Sequence, residues 1–207
     1  APGAVVPRLR AALVDPVRRE AAPLAGGAGP RAPVSMQFFC YHRDRAGSTP
    51  LRVEMVEQHW SYMDRYAARL VARGPTFGGD DTLTGSVHVV DLPDADAARA
   101  FAFDEPCYQA GAYRDVLIRR TRWERLGSPV PGFLVLGFTA RPEPHPPAAP
   151  PPPRGELVGF GPLLSDDGSW LVGAAALASA EDAARVALDR DRFIAVEVHR
   201  WEPGGRR

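Results

Sequence analysis

The chain contains no lysine: all 25 of its Lys and Arg residues are arginine. A catalytic or Schiff-base lysine is excluded, and the bias fits a GC-rich coding sequence better than a functional demand. Cysteine is scarce. Cys40 sits in a strand-like run and Cys107 in a turn, and two thiols make neither a disulfide framework nor a metal site. A reduced, cytoplasmic protein is the expectation. Net charge is zero, from 25 basic and 25 acidic residues, which gives no electrostatic footprint for nucleic acid or a membrane surface. No apolar run is long enough to span a bilayer. Nucleophile-elbow and dinucleotide fingerprints are missing. Gly78-Gly79-Asp80-Asp81 lacks both the Gly-Lys-Ser/Thr of a phosphate loop and the alternating acids of a calcium loop. His42, His59, His88, His145 and His199 show no i, i+4 pairing, so neither a metal nor a cofactor is expected.

What is present is a pattern stated twice. Residues 74–124 and 161–202 each run through Gly-Pro, Asp-Asp, Gly-Ser, an apolar stretch, a DAAR helix start and a closing Arg-Trp-Glu. The offset drifts: Gly74 to Gly161 is 87 residues, Gly85 to Gly168 is 83, and Trp123 to Trp201 is 78. A shrinking offset describes two folded copies with loop deletions, and such repetition fixes architecture before any motif is read. At 207 residues and 45% apolar, the chain suffices for one large or two small domains.

The first copy reads βαββαβ. Gln37–His42 is an aromatic-rich strand. Leu51–Arg73 reads as a helix with the apolar stripe Val53, Val56, Trp60, Met63, Ala67 and Leu70, stopped by a Gly74-Pro75 turn. Around Arg73–Asp80 there is room for a further short strand. Gly85–Leu92 is a strand, Asp94 an N-cap for a helix through Phe103, and Tyr113–Trp123 a final strand. This order is the split βαβ, ferredoxin-like pattern. In the second copy the strand Phe133–Ala140 leads into RPEPHPPAAPPPPR, residues 141–154. Proline at that density is extended, not helical, so the copy lacks its first helix. Glu156–Phe160, Gly168–Gly173, a helix from Ser179 to about Asp189, and Phe193–Trp201 complete it. Residues 1–35, without an aromatic residue and ending where Met36 opens the first strand, read as a disordered extension created by an upstream start.

On these residues, EQHWSYM with His59, Gly74-Pro75, TGSVHVVDLPDADAARAFAFDEP and YRDVLIRR, the stretch 36–124 resembles the YciI-like (YCII-related) family of the dimeric α/β-barrel class. Residues 133–202 resemble a degenerate second member. The resemblance implies an α+β fold: two ferredoxin-like halves, 36–127 and 128–207, packed sheet to sheet as an intrachain barrel. It also leaves monomer and homodimer both open. It further implies a His–Asp centre, whose histidine falls on His59. The acid before the proline is here Glu105, with Asp104 one position earlier, so the catalytic candidates are His59, Glu105 and Asp104. A near-neutral imidazole suits general acid–base work. Ser86 and His88 share one strand face and meet a ligand if that face lines the barrel. Tyr62, on the His59 flank, and Tyr41, in the first strand, complete the ligand-contact candidates. The expected function is small-molecule proton transfer (elimination, isomerisation, cyclisation or hydrolysis). The alternative is a non-catalytic ligand-binding or structural module on the same barrel.

Overall fold

In the computed structural model, the described residues are 36–145, 155–188 and 192–205. The expected extension 1–35 and residues 146–154 of the proline-rich stretch lie outside them. The chain runs β1 (Met36–Asp44), α1 (Thr49–Glu54), α2 (Val56–Asp64), a 3-10 turn at Ala67–Arg69, β2 (Leu70–Phe77) and β3 (Leu83–Leu92). It continues α3 (Ala95–Phe103), α4 (Pro106–Gln109), β4 (Tyr113–Thr121), β5 (Glu124–Arg125) and β6 (Gly132–Pro144). The last elements are β7 (Leu157–Leu164), β8 (Trp170–Ala178), α5 (Glu181–Ala187) and β9 (Phe193–Trp201). No helix among the described residues is long and apolar enough to cross a membrane.

The local signals hold in several places. Asp94 caps α3, its side chain accepting from Ala97 N, and α3 ends at Phe103. The expected helix Leu51–Arg73 is shorter than read: it breaks at Met55, tightens into the 3-10 turn, and gives way to strand at Leu70. Leu70 then pairs with Val90 on β3, yet it packs in the same cluster as Met63. The apolar stripe is satisfied by either conformation, and sheet pairing decides. Gly74-Pro75 is therefore not a turn; both residues lie inside β2. Gly74 is required there because a Cβ would sit 1.9 Å from the Glu202 carbonyl oxygen. The first part of the proline-rich stretch, through Pro144, is extended in β6.

The nine described strands are antiparallel, in the order β4-β1-β3-β2-β9-β6-β8-β7-β5, with β4 also pairing to β7. That last pairing closes the sheet into a barrel. Its joins are thin. β2 meets β9 through two residue pairs, Thr76 with Trp201 and Phe77 with Arg200, and β4 meets β7 through Arg120 and Leu164 alone.

Side chains alternate across the pleat, and the two faces have different fates. Phe39, Tyr41, Val87 and Val89 point inward and pack with Leu134, Leu136, Leu163, Leu177, Trp123 and Trp201. The barrel interior is thus a filled core. Phe38, Cys40, Val90 and Leu92 point outward beneath Tyr62, Met63, Ala98 and Phe101 of the helices. On the far side, Val135, Ala174 and Ala176 face outward in a third cluster with Ala183 and Leu188.

Candidate active site

Because the interior is filled, the polar chemistry of the first part of the chain collects in the outer layer, between sheet and helices. β1 contributes His42 and Asp44, β3 contributes Ser86 and His88, α1 contributes Arg52, and α2 contributes His59. In the β1–β3 register, Cys40 is opposite His88 and His42 opposite Ser86. Period two therefore puts all four on one face.

His59 Nδ1 lies 2.7 Å from Glu105 Oε1, both side chains buried. Glu105 is also the N-cap of α4: its Oε2 accepts from Tyr108 N at 2.9 Å, with Pro106 at the first helical position. Proline pre-sets the backbone angle needed there, and the cap fixes the carboxylate. Burial pushes the Glu105 carboxyl up, but the hydrogen bond and charge of His59 outweigh it and hold it at about 2. Glu105 is therefore ionised, Nδ1 carries the hydrogen, and Nε2 is the basic nitrogen of His59.

Two more histidines stand close. The His88 ring lies 6.0 Å from that of His59 and 5.6 Å from that of His42. His42 Nε2 donates to Ala102 O at 3.0 Å, so its Nδ1 is unprotonated. Burial lowers His42 to about 4, and burial, with the cost of a second positive charge beside His42 and His59, holds His88 well below 6.5. Both are neutral. Arg52 is wholly buried beneath them, bonding Asp44 Oδ1 at 2.5 Å and Ser86 Oγ at 2.8 Å, with its guanidinium over the Tyr113 ring. Burial raises Asp44 to about 6 against the opposing pull of Arg52.

A narrow cleft enclosing about 20 Å³, room for roughly one water, reaches this layer. His59, Trp60, Ser86, His88 and Arg73 line it, with Gly204 and Gly205 arriving from beyond β9.

The candidates read from sequence divide accordingly. His59, Glu105, Ser86 and His88 come together. Ser86 and His88 do so on the helix-covered face, not in the barrel interior. Asp104 is exposed at the C-cap of α3 and is not the partner of His59. Tyr62 packs over Phe101 and donates to its carbonyl at 3.0 Å, a role in the helix layer. Tyr41 faces the interior, bonded to Thr76 and edge-on to His199, on the opposite side of the sheet from His59. His42, Asp44, Arg52, Arg73 and Cys107 were not singled out as site residues. Alternation along β1 carried the signal for His42; nothing local marked the others.

Cys107 adds a third donor. The ligand atoms of His59, Glu105 and Cys107 all lie within 4.8 Å of one another, and these are zinc-type ligands. Burial pushes the thiol up to about 12, and His59 and Glu105 already share a hydrogen. An ion there would have to displace both protons, so the set fits a metal poorly.

A sheet with helices on its outer face and a buried histidine–carboxylate pair between the two layers makes an α+β domain. Residues 36–123 match the YCII-related domain, and this part of the chain belongs to the YCII-related family. No curated protein matches the chain. Among solved structures it is similar to the 5-chloro-2-hydroxyhydroquinone dehydrochlorinase TftG of Burkholderia phenoliruptrix, in complex with 2,5-dihydroxybenzoquinone. Identity is 27%, coverage 44% of this chain and 95% of that one, and the TM-score 0.40. It is also similar to a provisionally assigned monooxygenase of Lactobacillus acidophilus, at 6% identity, 83% and 96% coverage and a TM-score of 0.45.

Proposed function

We propose that this protein is a small-molecule enzyme of YCII-related type in which His59 and Glu105 move a proton. The observation that carries the reading is the buried 2.7 Å bond from His59 Nδ1 to a carboxylate fixed from its other side by Tyr108 N. Glu105 holds the ring in one tautomer and orientation, and its charge stabilises the imidazolium formed when Nε2 accepts a proton from the substrate. The ring then returns the proton to a leaving group or another atom. Elimination, isomerisation, cyclisation and hydrolysis all need such a group. His88 and Ser86, neutral and polar, line the cleft beside it.

The same reading takes residues 36–127 and 128–207 as two tandem units, the second without its first helix. The strand orders β4-β1-β3-β2 and β9-β6-β8-β7 support it, as do Trp123 and Trp201, which end the two repeats and share the interior cluster. With both units in one chain, the barrel needs no second copy to close. His59 has no counterpart in the second unit, so there is one site per chain.

The narrowness of the cleft and the Trp60 wall favour a second reading, binding without turnover. Proton exchange separates the two. In D2O, NMR follows deuterium uptake at carbon acids in a panel of small ketones, enols and hydroxy acids. The enzyme reading expects at least one compound to exchange faster than in buffer, and His59→Gln to abolish this while the fold persists. Exchange unchanged in His59→Gln, or none above buffer across the panel, would overturn it.

A further inference from the structure

We propose that residues 202–205, a strap that follows β9, are the door of the His59 cleft and lift to let anything larger than water reach His59. The inference rests on the proposed function only in taking this cleft as the way to the reacting histidine. In the closed state the cleft encloses about 20 Å³, room for roughly one water. Its floor is the sheet, with Ser86 and His88 of β3 beside β2. Those two strands pair along their length, from Leu70 with Val90 to Phe77 with Leu83. Its roof is α2. There His59 is bonded to Glu105, Met63 is buried in the helix layer, and Trp60 packs on Phe77 and Leu83. The remaining described side is Gly204 and Gly205, which bring no side chain to hold it. Floor and roof are fixed by packing, so the strap is the side that can give way.

The attachment of the strap suits this role. β9 meets β2 at Trp201 with Thr76 and Arg200 with Phe77. The same register carries the strap along the β2 edge, with Glu202 opposite Pro75 and Gly204 opposite Arg73. Glu202 N donates to the Pro75 carbonyl at 3.2 Å, and Gly204 N donates to the Arg73 carbonyl at 3.0 Å. Opposed residues in an antiparallel ladder can exchange two bonds, but Pro75 has no N–H with which to return one. Arg73 Nε donates to the Gly204 carbonyl at 3.1 Å, so part of the latch is a side chain with rotamers of its own. Pro203 is buried and anchors the strap. The two glycines beyond it have no side chain to withdraw from a pocket. Gly205 has φ +149°, which glycine tolerates and other residues resist, and a Cβ there would lie 2.5 Å from Arg73 Nη2.

The test uses the full chain and no substrate. Diethyl pyrocarbonate modifies accessible neutral imidazoles, and peptide mass spectrometry reports each histidine separately. Gly205→Ala pushes the strap off Arg73, and Gly204→Pro removes the N–H that bonds the Arg73 carbonyl. Either variant should speed modification of His59 and His88 about fivefold or more, the loss of one hydrogen bond from the closed state. His42, bonded to the Ala102 carbonyl of α3 and outside the cleft, should keep the parent rate. Circular dichroism melts check folding, and if one variant does not fold the other decides. Unchanged rates at His59 and His88 would overturn the proposal, as would a rise at His42 in step with them, which is the sign of general loosening. The His88 readout also works in a His59→Gln background. A failed strap leaves proton exchange dependent on His59 while modification ignores the strap variants. A failed proton-transfer reading leaves modification dependent on the strap while exchange ignores His59→Gln.

Discussion

Glu105 joins His59 to the start of α4: one carboxylate oxygen accepts from His59 Nδ1 and the other from Tyr108 N. A single side chain thereby caps a helix and orients an imidazole. Glutamate is an uncommon N-cap, and its extra methylene lets it bridge the two tasks from the position before Pro106.

This makes the two neighbouring acids unequal in a measurable way. Glu105→Gln removes the charge and leaves one accepting oxygen for two donors, His59 Nδ1 and Tyr108 N, so that one of them faces the amide NH2. Proton exchange should fall about a hundredfold, and stability should drop by about 1–3 kcal/mol. Asp104→Asn, at an exposed cap, should change stability by less than about 0.5 kcal/mol and leave exchange intact. Exchange rates and urea midpoints of the two single variants check both statements.

The buried histidines set an acid response. His42 and His88 are held below 6.5 in the folded chain, so as pH falls through 6.5 the unfolded chain binds protons that the folded chain refuses. Stability therefore falls. Asp44 works against this: its folded value is raised from 3.8 to about 6, so below pH 6 the folded chain gains a proton that the unfolded one lacks. His145 and His199 are lowered too, by burial, so the net difference between pH 6 and 4 is at least about one proton, or about 1.4 kcal/mol lost per pH unit. Below 4.5 the depressed Glu105 adds a second loss, since its stabilisation is complete above 4.5 and gone near 2. His42→Phe should flatten the slope between pH 6 and 4, whatever its effect on stability at neutral pH. Urea midpoints across that range give the slope directly.

How far the sequence could be read depended on whether the determining contacts were local. The Asp94 cap and the strand Phe193–Trp201 were legible because capping and alternation act within a few residues. The start of β2 was not, because Met63 and Leu70 reach one cluster whether the chain between them is helical or extended. Alternation showed that Ser86 and His88 share a face but not which face; the inward packing of Val87 and Val89 decides that. Between Asp104 and Glu105, only the bonds across α2 and α4 discriminate. The Arg52–Asp44–Ser86 network is built from three elements, so no single stretch announces it.

Gly74→Ala should undock the strap, the segment from Glu202 to Gly205 that follows β9 and bonds back to Arg73 and Pro75. The added methyl meets the Glu202 carbonyl 1.9 Å away, and backbone cannot swing aside as a side chain can. The β2–β9 join has only two residue pairs to resist. Overpacking of this kind costs about 1–3 kcal/mol. The Trp201 environment should change with it, since Trp201 pairs with Thr76 at this join, and a melt with a Trp fluorescence spectrum reads both. A variant as stable as the parent would mean that the strap contributes little to the closed barrel.

Closure of the barrel rests on the filled interior more than on the charges that span it. Leu136 on β6 is fully buried among residues of β1, β3 and β8. Arg43 on β1 reaches Asp115 on β4 and Glu197 on β9, each at 3.0 Å, with both acids substantially exposed. Exposed ion pairs contribute about 0–1 kcal/mol, whereas truncating a buried leucine costs about 2–5 kcal/mol. Leu136→Ala should therefore lower the urea midpoint several times more than Arg43→Gln, and the Arg43 effect should shrink further in high salt. If Arg43→Gln instead matched Leu136→Ala and salt left it unchanged, the charges across β1 and β9 would be holding the barrel shut, and the packed interior would be secondary.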